Sequence, residues 1–385
     1  MTHVHWLGTG LSTAPGIRRL AKSELSLTLW NRTPEKAQAI IEGLDTDTQV
    51  KAFDLDALAA ELQPGDIAVS MLPGDMHPIV AKLCIEKGAH FASSSYIAPE
   101  MRELHDAAVA KGLCLVNEIG LDPGIDHLMA HALVADYKTS EAFDPANQIS
   151  FRSYCGGVPK IPNDFRYKFS WSPLGVLKAL KSPSRSIRDG EVLDTQRPWD
   201  AITEYSARLP DGTSEVFQAY PNRDATPFIA DYQFDSSWNI QEFVRGTLRL
   251  QGWSDAWKPL FDEIETLQGA AGDARLKQMS EELWESESYD EGEPDRVVLV
   301  VELEARNEQG PVWHQCYTLD AIGDAQDTAM ARLVSTPLSL AIEAIAKGVM
   351  PAGLCPASKD LAVIERWMEQ LRANGEPIAR VDYLA

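Results

Sequence analysis

The first third of the chain alternates short apolar runs with longer segments of helical periodicity. The apolar runs are bounded by Gly, Pro, Asn or Ser and cover residues 4–7, 25–30, 67–72, 89–94 and 113–116. Runs of this length between turn residues are typical of buried strands, and strands that alternate with helices form a parallel sheet with helices on both faces. The pattern predicts a doubly wound α/β domain over residues 1–126.

After residue 126 the pattern changes to partial alternation of apolar and polar positions. Strands are predicted at residues 148–153, 216–220, 243–250, 296–305 and 312–318, and Glu308-Gln309-Gly310 predicts an antiparallel hairpin between the last two. We therefore expect a second, α+β domain over residues 127–325, with a mixed, largely antiparallel sheet.

Two further segments of the second half have distinct patterns. Residues 281–295 are strongly acidic and contain Gly292 and Pro294, which predicts a solvated loop. Residues 329–347 and 361–374 have helical periodicity. Residues 326–385 are thus predicted to form a C-terminal helical segment that packs back on the first domain.

The first predicted strand leads directly into a glycine turn and a helix start, the order that a dinucleotide site requires. Gly8 permits the tight turn, Gly10 lets a pyrophosphate approach the backbone, and the helix N-terminus offers N–H groups to the phosphates. Thr13 stands where a third glycine is usual. The cofactor-binding candidates in this Rossmann-type turn are Gly8, Gly10, Leu11, Ser12 and Thr13.

The second predicted strand ends in Asn31-Arg32-Thr33, 21 residues beyond Gly10, where an acidic residue usually binds the ribose of NAD. No acid is present there. A guanidinium with short polar neighbours suits a 2′-phosphate, so NADP is favoured and NAD is the alternative. The competing interpretation is a surface arginine at the start of a helix over residues 34–42.

Residues 117–126, Asn-Glu-Ile-Gly-Leu-Asp-Pro-Gly-Ile-Asp, follow another predicted strand. Ligands of open α/β sheets bind beside the carboxyl ends of the strands, which would place Asp122 and Asp126 at a site. Asp is also a common helix N-cap. We expect Asp126 to cap a helix that begins at His127, and Asp122 to be functional. Tyr96, after the preceding strand, could bind substrate or cover the loop.

Charge and cysteine content exclude several classes of partner. The chain has 35 basic and 57 acidic side chains, a net charge of -22, which disfavours nucleic acid and anionic membranes. No uninterrupted run of 18 apolar residues predicts a membrane span. The five cysteines contain no Cys-x-x-Cys pair, so neither a metal site nor a disulfide framework is predicted, and a reduced cytoplasm fits best.

Basic residues nevertheless cluster in three apolar contexts, at residues 166–171, 220–224 and 245–249. Each cluster alone is compatible with a structural ion pair. Together they would supply local positive charge for a small substrate that carries several carboxylates.

These motifs together resemble the glutamate-forming saccharopine dehydrogenases, also called saccharopine reductases. The resemblance rests on the glycine turn, Ser95-Tyr96, residues 117–126, Ser153-Tyr-Cys-Gly-Gly157, Tyr167-Lys-Phe-Ser-Trp171, Tyr220-Pro-Asn-Arg-Asp224 and Arg245-Gly-Thr-Leu-Arg249. It implies an NADP-dependent oxidoreductase of lysine metabolism that interconverts saccharopine with L-glutamate and 2-aminoadipate 6-semialdehyde through an imine.

The resemblance also implies site residues. The expected substrate contacts are Ser95, Tyr96, Asp122, Arg223, Thr247 and Arg249, and the catalytic candidates are Asp122, Tyr96 and Cys155, with His127 behind them. Leu72 and Leu121 are expected near the nicotinamide. The alternatives are a related dehydrogenase for carboxynorspermidine or lysine, and a nucleotide-binding protein without catalysis. A sheet with open edges predicts a homodimer.

Overall fold

The computed structural model describes residues 2–385. Its strands are β1 (His3–Leu7), β2 (Ser26–Asn31), β3 (Gln49–Ala52), β4 (Ile67–Ser70), β5 (His90–Ala92), β6 (Cys114–Val116), β7 (Gln148–Pro159), β8 (Ser184–Arg188), β9 (Glu191–Thr195), β10 (Thr203–Arg208), β11 (Ser214–Pro221), β12 (Asn239–Leu250), β13 (Asp295–Asn307), β14 (Gly310–Ile322), β15 (Gly353–Cys355) and β16 (Ile378–Asp382). Its helices are α1 (Ala14–Ala21), α2 (Pro34–Ile41), α3 (Leu55–Glu61), α4 (His77–Lys87), α5 (Pro99–Arg102), α6 (His105–Ala110), α7 (Ile125–Thr139), α8 (Pro173–Leu180), α9 (Pro227–Asp231), α10 (Trp253–Thr266), α11 (Gly269–Glu287), α12 (Ala329–Ala346) and α13 (Leu361–Ala373).

The chain forms two compact units. The first comprises the residues up to Leu128 together with Ala331–Leu371, and the second comprises Met129–Met330 together with Arg372–Ala385. Residues 326–385, expected as one helical segment, are therefore divided between the two units. They also contain β15 and β16, which periodicity over so few residues does not reveal.

The first unit contains a parallel sheet in the order β15-β6-β5-β4-β1-β2-β3. The order runs outward in both directions from β1, which is the doubly wound arrangement predicted from the alternation of strands and helices. Apolar residues such as Trp30, Phe91 and Leu115 are almost fully buried against the helices. The carboxyl ends of β6, β5, β4 and β1 therefore lie side by side along one edge of the sheet.

Helix α12 contributes to the first unit through close packing with α1. A Cβ atom on Gly16 would lie 2.4 Å from the carbonyl oxygen of Ser335, and the Gly16 N–H donates to the Ser335 hydroxyl at 2.9 Å. By length and composition α12 could cross a membrane, but 72% of its apolar window is buried inside the protein. Its apolar character is therefore explained by core packing.

The second unit contains a nine-stranded mixed sheet in the order β10-β11-β12-β7-β13-β14-β16, with β8 paired to β12 and β9 paired to β8. All its neighbouring strands are antiparallel except β7 and β12. The predicted antiparallel hairpin is β13 and β14. The two-domain α/β plus α+β fold class is thereby confirmed.

This sheet is strongly curled. Glu215 of β11 pairs with Arg296 of β13 at 2.8 Å, although β12 and β7 lie between those strands in the sheet. Tyr205 of β10 likewise donates to Glu302 of β13. Because the strands face one another across the curl, apolar side chains on this face pack against each other and are buried, among them Phe217.

The prediction of a solvated loop over residues 281–295 was wrong at both ends of the segment. Residues 281–287 form the end of α11, and Asp295 is fully buried at the start of β13. Only the stretch between them is irregular. High acidic content favoured a loop, but buried residues on α11, such as Leu283, anchor the segment to the aromatic core of the unit.

Candidate active site

The glycine turn between β1 and α1 has the geometry of a phosphate-binding loop. Gly8 has φ +91°, and a Cβ atom there would lie 2.8 Å from the carbonyl oxygen of Met71, so glycine is required. Gly10 has open space where a Cβ would be, which leaves its backbone accessible. The Thr13 hydroxyl donates to the Gly10 carbonyl at 2.8 Å and fixes the turn before α1. The predicted Leu11 and Ser12 complete the same turn, with Leu11 54% exposed.

The end of β2 lies beside this turn. The Thr9 N–H donates to the Asn31 side chain at 3.4 Å, and the Asn31 amide donates to the carbonyl of Thr33 at 2.8 Å. Arg32 is exposed just before α2. The hydroxyl of Thr9 is buried without a hydrogen-bond partner among residues 2–385. A dinucleotide fits these residues, because the open glycine backbone, the exposed guanidinium and this hydroxyl all have free hydrogen-bonding capacity.

The ends of β4 and β5 adjoin the glycine turn. Leu72 would approach a Cβ on Gly8 to 3.3 Å, and the Ser94 hydroxyl contacts the Met71 sulfur at 3.4 Å. Ser95 follows directly. The structure thus brings Leu72 and Ser95, both predicted from strand ends, to the same edge of the sheet as Gly8.

The loop after β6 closes on itself through its glycines. The Gly120 N–H donates to the Pro123 carbonyl at 2.8 Å, and a Cβ on Gly124 would lie 2.1 Å from the Gly120 carbonyl oxygen. Leu121 is buried at the tip of this loop. Asp122 is only partly buried, and its Oδ1 accepts a hydrogen bond from the Tyr96 hydroxyl at 2.8 Å. Tyr96 and Asp122, 26 residues apart in the chain, are therefore one hydrogen-bonded pair.

The expected helix start at His127 was wrong by two residues, because α7 begins at Ile125. Asp126 therefore lies in the first helical turn rather than before it. It is fully buried and accepts the Gly124 N–H at 2.7 Å, so it closes the loop in a structural role. The Nε2 of His127 lies 3.4 Å from Oε2 of Glu118, and its Nδ1 lies 3.6 Å from Oδ2 of Asp126. His127 is therefore part of a buried polar cluster.

In the second unit, one face of the curled sheet carries a row of polar side chains. Thr247 of β12 is paired with Cys155 of β7 on one side and with Tyr220 of β11 on the other. Side chains alternate along a strand, so Arg245 and Arg249 point to the same face as Thr247. The predicted Cys155, Thr247 and Arg249 are thus neighbours on one surface.

Arg249 is 5% exposed and lies among aromatic rings. Its guanidinium carbon is 4.7 Å from the centre of the Tyr167 ring, 5.3 Å from Trp253 and 5.8 Å from Tyr220. Its Nε has no hydrogen-bond partner among the described residues, and no carboxylate pairs with it there. Burying a cation without an acid is costly, and a bound anionic group would offset that cost.

The other basic residues differ in their surroundings. Arg245 is buried with its guanidinium 4.0 Å from the centre of the Phe228 ring. Arg223 is exposed on the turn after β11 and has φ +61°. Lys168 pairs with Glu293 at 2.5 Å, so its charge is neutralised within the unit. Of the two basic residues in the predicted cluster at residues 166–171, Lys168 is therefore not available to a substrate carboxylate.

The opposite face of this sheet carries a cluster of two glutamates and a histidine. Ligand atoms of Glu302, Glu304 and His314 lie within 4.8 Å of one another. Arg152 pairs with Glu302 at 2.7 Å, and Arg306 pairs with Glu304 at 2.6 Å. Burial would raise the pKa of Glu302, but His314 and Arg152 hold that pKa below its usual value. The cluster is an ion-pair network of the fold.

Sequence reasoning missed two residues of the first unit. Gly16 permits the close packing of α1 against Ser335 of α12. His77 contacts Ser70 and Ser95, which lie 7 residues before it and 18 residues after it. A contact between such separated positions leaves no local signal in the sequence.

Comparison with known families accounts for both units. Residues 4–116 match the family model described as the saccharopine dehydrogenase NADP binding domain, and residues 120–376 match the saccharopine dehydrogenase C-terminal domain. This chain belongs to the saccharopine dehydrogenase family. The family expected from the sequence motifs is thereby confirmed. Residues 4–116 are an NADP-binding domain, as the Asn31-Arg32 pair predicts.

Relatives within the saccharopine dehydrogenase family include two fungal enzymes named saccharopine dehydrogenase (NADP+, L-glutamate-forming). The one from Pyricularia oryzae is 39% identical over 263 residues, and the one from Saccharomyces cerevisiae is 35% identical over 274 residues. Each alignment covers 66% of this chain and 56% of the relative, so the match spans about half the length of these relatives.

A solved structure of the family is similar over nearly the whole chain. It is apo saccharopine dehydrogenase (L-Glu forming) from Saccharomyces cerevisiae, with a TM-score of 0.81 and 25% sequence identity. The similarity covers 99% of this chain and 100% of the other. The fold of both units is therefore that of the family.

Proposed function

We propose that this chain is an NADP-dependent saccharopine dehydrogenase of the L-glutamate-forming type. The observation that carries the proposal is that the family match includes the C-terminal domain, residues 120–376, as well as the NADP-binding domain. A likeness confined to the dinucleotide domain would be compatible with many substrates.

The reaction oxidises a secondary amine and then hydrolyses the product. The carbon beside the amine nitrogen loses a hydride and the nitrogen loses a proton, which leaves a C=N bond. Water adds to that carbon, the C–N bond breaks, and L-glutamate leaves with the nitrogen while the aldehyde carbon remains in 2-aminoadipate 6-semialdehyde. NADP, when bound, supplies or accepts the hydride.

In the first unit, the Tyr96 and Asp122 pair would handle protons. The Tyr96 hydroxyl donates to Asp122 at 2.8 Å, so a proton accepted by one member can be relayed by the other. Both side chains are only partly buried and can be reached by substrate and water. The same unit holds the dinucleotide through the turn at Gly8 and Gly10.

In the second unit, positive charge would bind the substrate carboxylates. Arg249 is buried without a carboxylate partner among the described residues, and Arg223 is exposed on a neighbouring turn. Guanidinium groups bind carboxylates in bidentate geometry, which orients as well as holds them. Thr247 and Cys155 lie beside Arg249 on the same face, where they can contact the bound substrate.

The proposal is tested by following absorbance of the reduced nicotinamide. Saccharopine, lysine and carboxynorspermidine are offered in turn, each with NADP and with NAD. We expect reduction with saccharopine and NADP, and an increase in KM for saccharopine in Arg223→Ala. Turnover of lysine or carboxynorspermidine in preference to saccharopine would assign a different amine. No reduction with any pair would indicate a nucleotide-binding protein without catalysis.

We further infer that the protein acts as a cytoplasmic homodimer. None of the five cysteines forms a disulfide bond in the described part of the chain, which fits a reducing compartment. Val192 and Val216 of the second sheet are 58% and 42% exposed, which fits contact with a second copy. Light scattering during size-exclusion chromatography tests the dimer, and a mass near 42.5 kDa would exclude it.

A further inference from the structure

His77 links two of the strand ends described above. It is the first residue of α4 and is 4% exposed. Its Nδ1 lies 2.9 Å from the hydroxyl of Ser70, the last residue of β4, and its Nε2 lies 2.8 Å from the hydroxyl of Ser95. The Ser93 hydroxyl approaches the same Nε2 at 3.4 Å. One imidazole thus spans the ends of β4 and β5.

The imidazole of His77 is uncharged at neutral pH. Burial lowers its pKa to about 4, against a smaller opposite effect from Asp75. The ring also packs edge-on against Phe91, with 6.3 Å between centres. A neutral imidazole has one N–H donor and one acceptor nitrogen, so it can bind one hydroxyl in each role.

Ser95 is held by its hydroxyl and by both of its backbone groups. Its N–H donates to the Ser93 hydroxyl at 3.2 Å, and its carbonyl accepts the Glu118 N–H at 3.0 Å and the Asn117 side-chain amide at 3.3 Å. The next residue is Tyr96, which donates to Asp122. Among these contacts of Ser95, the one with His77 sets the direction of the hydroxyl. The backbone contacts fix the position of the segment.

We propose that His77 is a positioning residue, which binds the Ser95 hydroxyl in one orientation beside the Tyr96 and Asp122 pair. This inference rests on the proposed function, in which Ser95 contacts the substrate. His77 itself lies beneath the strand ends and acts through Ser95. Burial lowers the pKa of His77 to about 4, so the ring is a weak base at neutral pH and is poorly suited to general-base catalysis.

Two substitutions of His77 distinguish the roles of its two ring nitrogens. In His77→Gln the side-chain amide reaches the position of Nε2 and can still bind Ser95, whereas the shorter His77→Asn amide reaches the position of Nδ1. We expect His77→Asn to lower kcat/KM for saccharopine about 3- to 10-fold, the effect of one neutral hydrogen bond, with unchanged NADP affinity. We expect His77→Gln to retain activity within about twofold.

A double-mutant cycle with Ser95→Ala identifies the route of the effect. If His77 acts through Ser95, the variant with both His77→Asn and Ser95→Ala loses no more activity than Ser95→Ala alone. His90→Gln, at the other end of β5, is the matched control and should leave kcat/KM unchanged. Additive losses, or equal losses in His77→Gln and His77→Asn, would overturn the proposal.

A spectroscopic measurement tests the contact between His77 and Ser95 without enzyme turnover. The ring nitrogens of His77, assigned by their loss in His77→Gln, should give the pattern of a neutral imidazole in ¹⁵N NMR. Ser95→Ala should shift the Nε2 signal, and an unaltered signal would refute the contact. If the wild-type enzyme does not oxidise saccharopine, the proposed function fails together with this role in it. If the wild type is active and the variants match it, the positioning role alone fails.

Discussion

Asp295 is expected to stabilise the second unit through the start of α12. Its carboxylate is fully buried, and its two oxygens accept the N–H groups of Ala329 at 2.6 Å and of Met330 at 3.0 Å. These are two of the N–H groups that an α-helix leaves unpaired at its first turn, and a negative charge there also interacts favourably with the helix dipole.

The magnitude follows from these two contacts. A hydrogen bond to a charged group contributes about 1.5–3 kcal/mol, and both are lost in Asp295→Ala while the two N–H groups stay buried. Relief from burying the carboxylate offsets part of this loss, so we expect a decrease of about 3–5 kcal/mol in the free energy of unfolding. Asp295→Asn keeps one acceptor oxygen and should lose about half as much.

The assay is urea unfolding followed by far-UV circular dichroism and tryptophan fluorescence. Glu291→Ala is the matched control, because Glu291 is an exposed acid in the same segment and should change the stability by less than about 0.5 kcal/mol. If Asp295→Ala unfolds at the same urea concentration as Glu291→Ala, the helix start does not depend on this carboxylate and the reasoning is refuted.

Three further predictions concern single side chains of the site. Arg32→Ala should weaken NADP about 10- to 100-fold relative to NAD, since it removes a charged contact to the 2′-phosphate, and an unchanged ratio of dissociation constants would contradict this. Arg249→Met should raise KM for saccharopine more than about 10-fold with an unchanged or higher melting temperature, because it removes a buried unpaired charge; a lower melting temperature with normal KM would indicate a structural arginine. The pKa of His77 in the folded protein is about 4, below the usual 6.5. The contribution of the neutral ring to the free energy of unfolding is therefore complete above pH 6.5 and is lost as the pH falls toward 4. Wild-type stability should therefore drop over this range by up to about 3 kcal/mol more than that of His77→Gln, and parallel curves from pH-dependent urea unfolding would contradict it.

Local signals in the sequence were sufficient for five of the seven strands of the first sheet, but not for β3 or β15. The five predicted strands are short apolar runs between turn residues, and the turn at Gly8 needs residues without a side chain, so both features are visible without tertiary information. The second sheet was harder. Its strands β8, β9 and β10 are short, partly exposed and rich in polar residues, so they lack the apolar content by which the other strands were predicted.

The residues of the candidate site could be predicted from the sequence, but the contacts between them could not. The motifs indicated Tyr96, Asp122 and Arg249, but not that Tyr96 binds Asp122 or that Arg249 lies among aromatic rings. The contact of Tyr96 with Asp122 and those of Arg249 with Tyr167 and Tyr220 join residues 26 or more positions apart in the chain. The acidic segment was misassigned for the same reason, because the buried partners of Asp295 at the start of α12 lie 34 and 35 residues later.

The order of the strands has a consequence for synthesis on the ribosome. β7 pairs with β13, whose residues follow about 150 positions later, and β14 pairs with β16 near residue 380. The first unit likewise needs Ser335 beside Gly16 and β15 beside β6. Neither unit can complete its sheet until most of the chain has been translated. Folding is therefore expected to be slow and late, with unpaired strand edges exposed during elongation, so the nascent chain should depend on chaperones more than a protein with local pairing.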